Sequence, residues 1–181
     1  MQTDRLMLRP LEADDITPLH ELAGDRRVAE GTLNIPHPYE REQAVTFVRH
    51  AMDGMMRGDQ YTLAIALRDT DQLIGVISMR VREPHQSAEI GYWVGVPYWN
   101  EGYTTEAARR LLRFAFEYLK LNRVYAIHFV DNPASGRVMQ KIGMRHEGTL
   151  RQHFYRCGEF KDCAYYGILR SEFPLDDPDE T

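Results

Sequence analysis

Between Pro97 and Ala107 the chain reads Pro-Tyr-Trp-Asn-Glu-Gly-Tyr-Thr-Thr-Glu-Ala, residue types suited to gripping an anion. Gly102 permits an approach that a side chain would block. Thr104 and Thr105 offer hydroxyls that cap a helix or donate to a ligand. If a helix starts here, its first N–H groups are free and carry a partial positive charge. The backbone from Trp99 through Asn100, Glu101, Gly102, Tyr103, Thr104 and Thr105 can then converge on phosphate oxygens. Taken alone, one glycine and two threonines also describe a plain capped turn. The stretch is neither a P-loop, which needs Gly-Lys-Ser/Thr, nor the three-glycine dinucleotide fingerprint.

A second set, Asn132-Pro133-Ala134-Ser135, has the composition of another helix start: an asparagine cap and a proline at the first position. The Ser135 hydroxyl either bonds backbone near Asn132 or faces a ligand. The aromatic residues Tyr92, Trp93, Tyr98, Trp99 and Tyr103 crowd the first set; they are core, or a wall for a cationic group. Seven histidines are scattered without ligand spacing, so no metal is expected.

The elements that must position these groups follow from periodicity. Arg5–Leu11 alternates as a first strand. Asp14 and Asp15 look like caps for a helix to Ala23. Thr32–Pro38, with two prolines, reads as a loop. Tyr39–Met56 predicts a helix with Ala44, Phe47, Val48, Ala51, Met52 and Met55 on its apolar face. Tyr61–Arg68, Leu73–Val81 and Ser87–Val96 predict an antiparallel meander. A helix over Thr104–Leu119, a strand over Arg123–Val130 and a helix from Pro133 to Gly143 come next. Met144–Arg156 and Asp162–Leu169 predict a closing hairpin. The sum is an α/β (α+β mixed) domain, a mixed sheet with helices on both faces. Strand-to-helix turns at Pro97–Thr105 and Asp131–Ser135 are the natural ligand sites.

The bulk properties fit an ordinary soluble protein: 181 residues, net charge −5 and 43% hydrophobic residues. One domain over 1–175 and a flexible acidic tail over 176–181 are expected. The charge gives no reason to expect nucleic acid or membrane as a partner, and no apolar run is long enough to span a bilayer. The N-terminus has no signal-peptide core, so a cytoplasmic location is expected. A hairpin turning at Gly158-Glu159 would set Cys163 opposite Phe154 rather than Cys157, so no disulfide is expected.

Asn132-Pro133-Ala134-Ser135-Gly136-Arg137-Val138-Met139-Gln140-Lys141-Ile142-Gly143-Met144 resembles the coenzyme A-binding helix of the GNAT acetyltransferase superfamily. It is nearest the RimJ/RimL-type branch, where Asn-x-x-Ser and Lys-x-Gly recur at this spacing. Trp99–Ala107 looks like the superfamily's pyrophosphate loop, and Ala88–Val94 is similar to its central split strand. Glu147-Gly148 and Tyr166–Leu169 also fit that branch. The resemblance implies a GNAT-like fold with a partly splayed sheet of about seven strands.

It also implies acetyl transfer from acetyl-CoA, a co-substrate, to a primary amine by direct attack in a ternary complex. The acceptor would be a protein N-terminal α-amine or a small-molecule amine. Backbone groups of Trp93, Val94 and Val96 would hold pantetheine, with Asn132 touching the same arm. Glu89 would act as base through a water, and Ser135 would donate to the departing thiolate. Family members often form homodimers, so one is expected here.

Two departures stand out. Glu101 occupies an often basic position, and Met139 stands where many members carry a tyrosine general acid. Methionine cannot supply that proton. An acyl-CoA-binding sensor without transferase activity is therefore the alternative.

Overall fold

The computed structural model describes residues 1–174; the tail expected over 176–181 lies outside them. The strands are β1 (Leu6–Pro10), β2 (Gln60–Leu67), β3 (Leu73–Arg82), β4 (Ser87–Val94), β5 (Arg123–Phe129), β6 (Arg145–Arg156) and β7 (Glu159–Leu169). They form one seven-stranded sheet in the order β1-β2-β3-β4-β5-β7-β6. All neighbours are antiparallel except β4 and β5, which run parallel. A parallel pair cannot be closed by a tight hairpin. Here the crossover carries α4 (Tyr103–Arg113).

The other helices are α1 (Ile16–Ala23), α2 (Arg26–Glu30), α3 (Arg41–Arg57) and α5 (Pro133–Lys141). Strand alternation sends successive residues to opposite faces, and two cores result. Leu6, Ile77, Ile90 and Val124 pack with Leu111 and Leu112 of α4 and Met139 of α5. Ala64 and Val76 pack with Leu19 of α1 and with Ala44 and Val48 of α3. Truncating a fully buried leucine such as Leu111 removes about 2–5 kcal/mol of stability.

The structure departs from the periodicity in five places. Asp25 caps the short α2 by accepting from Arg27 N at 2.9 Å, in a stretch where the sequence predicted nothing. Asp15 does not cap α1; its carboxylate takes Arg9 Nη1 at 2.7 Å and Glu12 N at 2.8 Å. Met52 of α3 is 52% exposed, because the face toward the sheet narrows to the small residues Ala44, Val48, Ala51 and Gly54. The helix expected to run to Leu119 is α-helical only to Arg113 and widens into a π turn over Phe114–Tyr118. Leu119 N reaches back to Phe114 O, which lets Phe114 meet Tyr61 edge-on while Phe116 is buried. Finally, the late hairpin turns at Cys157-Gly158, and a bulge between Leu150 and Phe154 sets Cys163 opposite Leu150 rather than Phe154. Both cysteines are free thiols.

Candidate active site

β4 and β5 pair only from Ser87 opposite Arg123 to Ile90 opposite Ala126. Beyond that point each strand keeps only its outer neighbour: β4 stays with β3 to Val94, and β5 stays with β7 to Phe129. The sheet therefore splits, and the inner edge of Gly91–Val94 has no strand partner among the described residues. A cavity of about 220 Å³ occupies the split. Glu89 and Tyr92 both line it, although alternation sends them to opposite faces. The cavity passes through the sheet.

On the helical side, α5 begins as the sequence predicts. Asn132 Oδ1 accepts from Ser135 N at 3.3 Å, and Pro133 takes the first position. The other end of the Asn132 amide donates to Gly31 O at 3.1 Å. Both ends of this side chain are thus engaged within the protein; it orders the helix start and the 31–35 wall.

Ser135 meets Tyr92. The tyrosine hydroxyl donates to Ser135 O at 3.1 Å, and Ser135 Oγ donates to the tyrosine oxygen at 3.2 Å. Burial pushes the Tyr92 phenol well above its ordinary value, outweighing the opposing Ser135 bond, so it keeps its proton. Gly136 lets α5 sit close to β5: a Cβ there would lie 2.8 Å from His128 Nε2. His128 Nδ1 lies 2.7 Å from Phe129 O, and Nε2 is buried without a partner. Met139 is buried and lines the same cavity.

On the opposite face, Glu89 Oε2 accepts from Tyr125 Oη at 3.1 Å and lies 4.0 Å from Arg82 Nη2. Its side chain is 36% exposed. Burial, then the Glu89 charge, raises the Tyr125 phenol. A carboxylate here can accept a proton from an amine in the split.

The loop after β4 makes a 3-10 turn over Val96–Tyr98. Asn100 (φ 65°) and Gly102 (φ 82°) then adopt left-handed backbone, and α4 starts at Tyr103 with no side-chain cap. The N–H groups of its first turn, including those of Thr104 and Thr105, have the free geometry that binds anions.

Three residues fix this loop. Trp99 Nε1 donates to Val94 O at 2.8 Å, which makes that indole a brace. Arg5 Nη1 donates to Glu101 O at 3.0 Å, while its guanidinium pairs with Glu106 and lies 4.6 Å over the Tyr103 ring. Thr3 Oγ1 donates to Glu106 at 2.5 Å. Burial would raise the Glu106 carboxyl, but bonds from Thr3 and Arg5 hold it below its ordinary value. The Glu101 side chain is exposed.

Sequence reasoning left Tyr92 as core or a wall for a cationic group, and missed Arg5. Alternation with Ile90 and Val94 already placed Tyr92 toward the helices, and only its contact with Ser135 was invisible. Arg5 carried no local signal.

Residues 5–145 match the family model "Acetyltransferase (GNAT) domain". The chain is 29% identical to the ribosomal-protein-serine acetyltransferase of Escherichia coli (strain K12), covering 92% of this chain and 94% of that one. It is 25% identical to the spermidine N(1)-acetyltransferase of Vibrio cholerae, covering 93% and 95%. A solved GNAT-family acetyltransferase from Bacillus anthracis superimposes with a TM-score of 0.85 at 30% identity, over 95% of this chain and 99% of that one. With the split sheet and the anion-binding loop, these matches make the chain a member of the GNAT family and an acetyl-CoA-dependent acyltransferase.

Proposed function

We propose that residues 1–175 act as one catalytic domain that acetylates a primary amine by direct attack in a ternary complex. The observation that carries this reading is the cavity through the split sheet, with Glu89 on one face and the Tyr92–Ser135 pair on the other. Amides around Gly102 grip the diphosphate of acetyl-CoA. The free edge near Trp93 and Val94, continuing to Val96, lies along pantetheine, and a backbone N–H there polarises the acetyl carbonyl.

An aliphatic amine with a pKa of about 10.4 arrives protonated. Glu89 takes that proton, through a water. The amine nitrogen then attacks the thioester carbon, the C–S bond breaks, and the nitrogen's second proton passes to the departing thiolate. Ser135 Oγ turns from Tyr92 to donate to the departing sulfur, while the Tyr92 hydroxyl holds the Ser135 backbone in place. Holding both substrates in contact supplies the larger share of the acceleration, up to about 7–11 kcal/mol at ideal alignment. The acceptor is a protein N-terminal α-amine or a small-molecule amine; the E. coli and V. cholerae relatives are named for one of each.

The test is thiol release from acetyl-CoA across a panel of amines and N-terminal peptides. Turnover with at least one acceptor supports the reading. Tight coenzyme A binding with thiol release at background throughout favours the sensor, the reading that Met139 at the tyrosine position supports. The enzyme is proposed to work in the cytoplasm and as a homodimer, with Val45, Met52 and Met56 exposed along α3 as the apolar stripe for a second copy. A monomeric sedimentation mass at micromolar concentration would contradict the dimer.

A further inference from the structure

We propose that the acceptor carries one positive charge, on the reacting amine, with an apolar group beside it, and that polyamines are poor substrates. This rests on the amine-acetyltransferase reading above and narrows its acceptor.

Among the described residues, Glu89 is the only carboxylate lining the cavity. A polyamine places further ammonium groups a few methylenes from the one that reacts, and each needs a carboxylate or open water. Outward from Glu89 the next charges are positive. Arg82 Nη2 lies 4.0 Å from the Glu89 carboxylate, and Arg80 stands directly across the β3–β4 ladder from Glu89. Both arginines are exposed, and Arg82 also lies 6.0 Å over the Tyr125 ring. The acids of the neighbouring strands are already engaged: Glu147 pairs with Arg123, and Asp131 and Glu159 pair with Lys161. Asp162 is held by Gln152 N at 2.7 Å. A second ammonium reaching out of the cavity past Glu89 would meet the two guanidiniums, which opposes binding.

The remaining walls are largely hydrocarbon and aromatic, with Thr32, Asn34, Ser78 and His128 among them. Leu33, Ile35, Phe47, Trp93, Ile127 and Phe154 line the cavity. The wall that carries Leu33 and Ile35 is fixed in advance. Arg156 donates to Ala29 O and Thr32 O at 3.2 Å, and also to Ile35 O, while Asn132 holds Gly31 O. A preformed apolar wall beside one carboxylate favours an amine with a small apolar neighbour.

The experiment compares hexylamine, 1,6-diaminohexane and 6-aminohexanoate, acceptors of equal reach that differ in the charge of the far end. In the wild-type enzyme at low salt, kcat/KM for hexylamine should exceed that for the diamine by at least about tenfold, with the gap narrowing as salt screens the arginines. 6-Aminohexanoate should not suffer the diamine's loss. In Arg80→Glu and Arg82→Glu the diamine-to-hexylamine ratio should rise by about tenfold, a readout that a merely structural change would not move. A wild-type diamine rate equal to or above that of hexylamine overturns the proposal and leaves the acetyltransferase reading standing. A ratio unmoved in both variants also overturns it. Background thiol release with every amine overturns both.

Discussion

Tyr92 and Ser135 touch across 43 residues of sequence, and their shared hydrogen bonds set what each can do. Removing the Tyr92 hydroxyl takes away the bond that holds the Ser135 backbone carbonyl and the acceptor of Ser135 Oγ. Tyr92→Phe should lower kcat about tenfold, the worth of one hydrogen bond, with KM for acetyl-CoA nearly unchanged. Because burial keeps the Tyr92 proton on, the wild-type and Tyr92→Phe kcat profiles should stay parallel between about pH 8 and 10, across the range where an ordinary tyrosine begins to ionise. Glu89→Gln should cut kcat by about 10²–10⁴, the span of general-base catalysis, and abolish the acid limb of the profile. Near-normal turnover with an intact limb would remove the assignment. At this scale the sequence spoke through residue type. Ser135 and Gly102 were open to a plain capping reading, and the family resemblance gave them and Glu89 their roles. Arg5 did not stand out, since one arginine at a strand edge looks like any other until Glu106 and Tyr103 fold against it.

The loop between β4 and α4 behaves as one element with β1. Arg5 ties it to the first strand through Glu101 O, Glu106 and Tyr103. Arg5→Ala should raise KM for acetyl-CoA several-fold while kcat changes little, which separates loop positioning from chemistry. Gly102→Ala asks an L-residue to hold φ 82°, a strain of about 1 kcal/mol, and should act in the same direction. Titration calorimetry with coenzyme A checks both. Element types were readable wherever local rules dominate: alternation gave the meander, and Asn132 with Pro133 gave the start of α5. They were less readable where packing over-rides periodicity. Met52 points outward because α3 approaches the sheet through small residues, and the π turn answers an aromatic run, Phe114, Phe116 and Tyr118, in which Phe114 meets Tyr61 of β2 and Phe116 meets Phe173.

For the molecule as a whole, acid should be the weak side. Glu106 and Glu147 sit below the ordinary carboxylate range, the first through Thr3 and Arg5 and the second through Arg123. A depressed carboxyl contributes stability above its unfolded value, and that contribution fades as pH falls through the folded one. The thermal midpoint should therefore decline below about pH 4, with Glu106→Gln showing a smaller decline than wild type; a scan from pH 3 to about 7 checks it.

The split between β4 and β5 also sets the order of traffic. In the mechanism we propose, donor and acceptor reach the reacting centre from opposite sides of the sheet, so neither need block the other's exit. Initial-rate patterns should show either partner binding first, and spent coenzyme A should depart while the acetylated product is still seated.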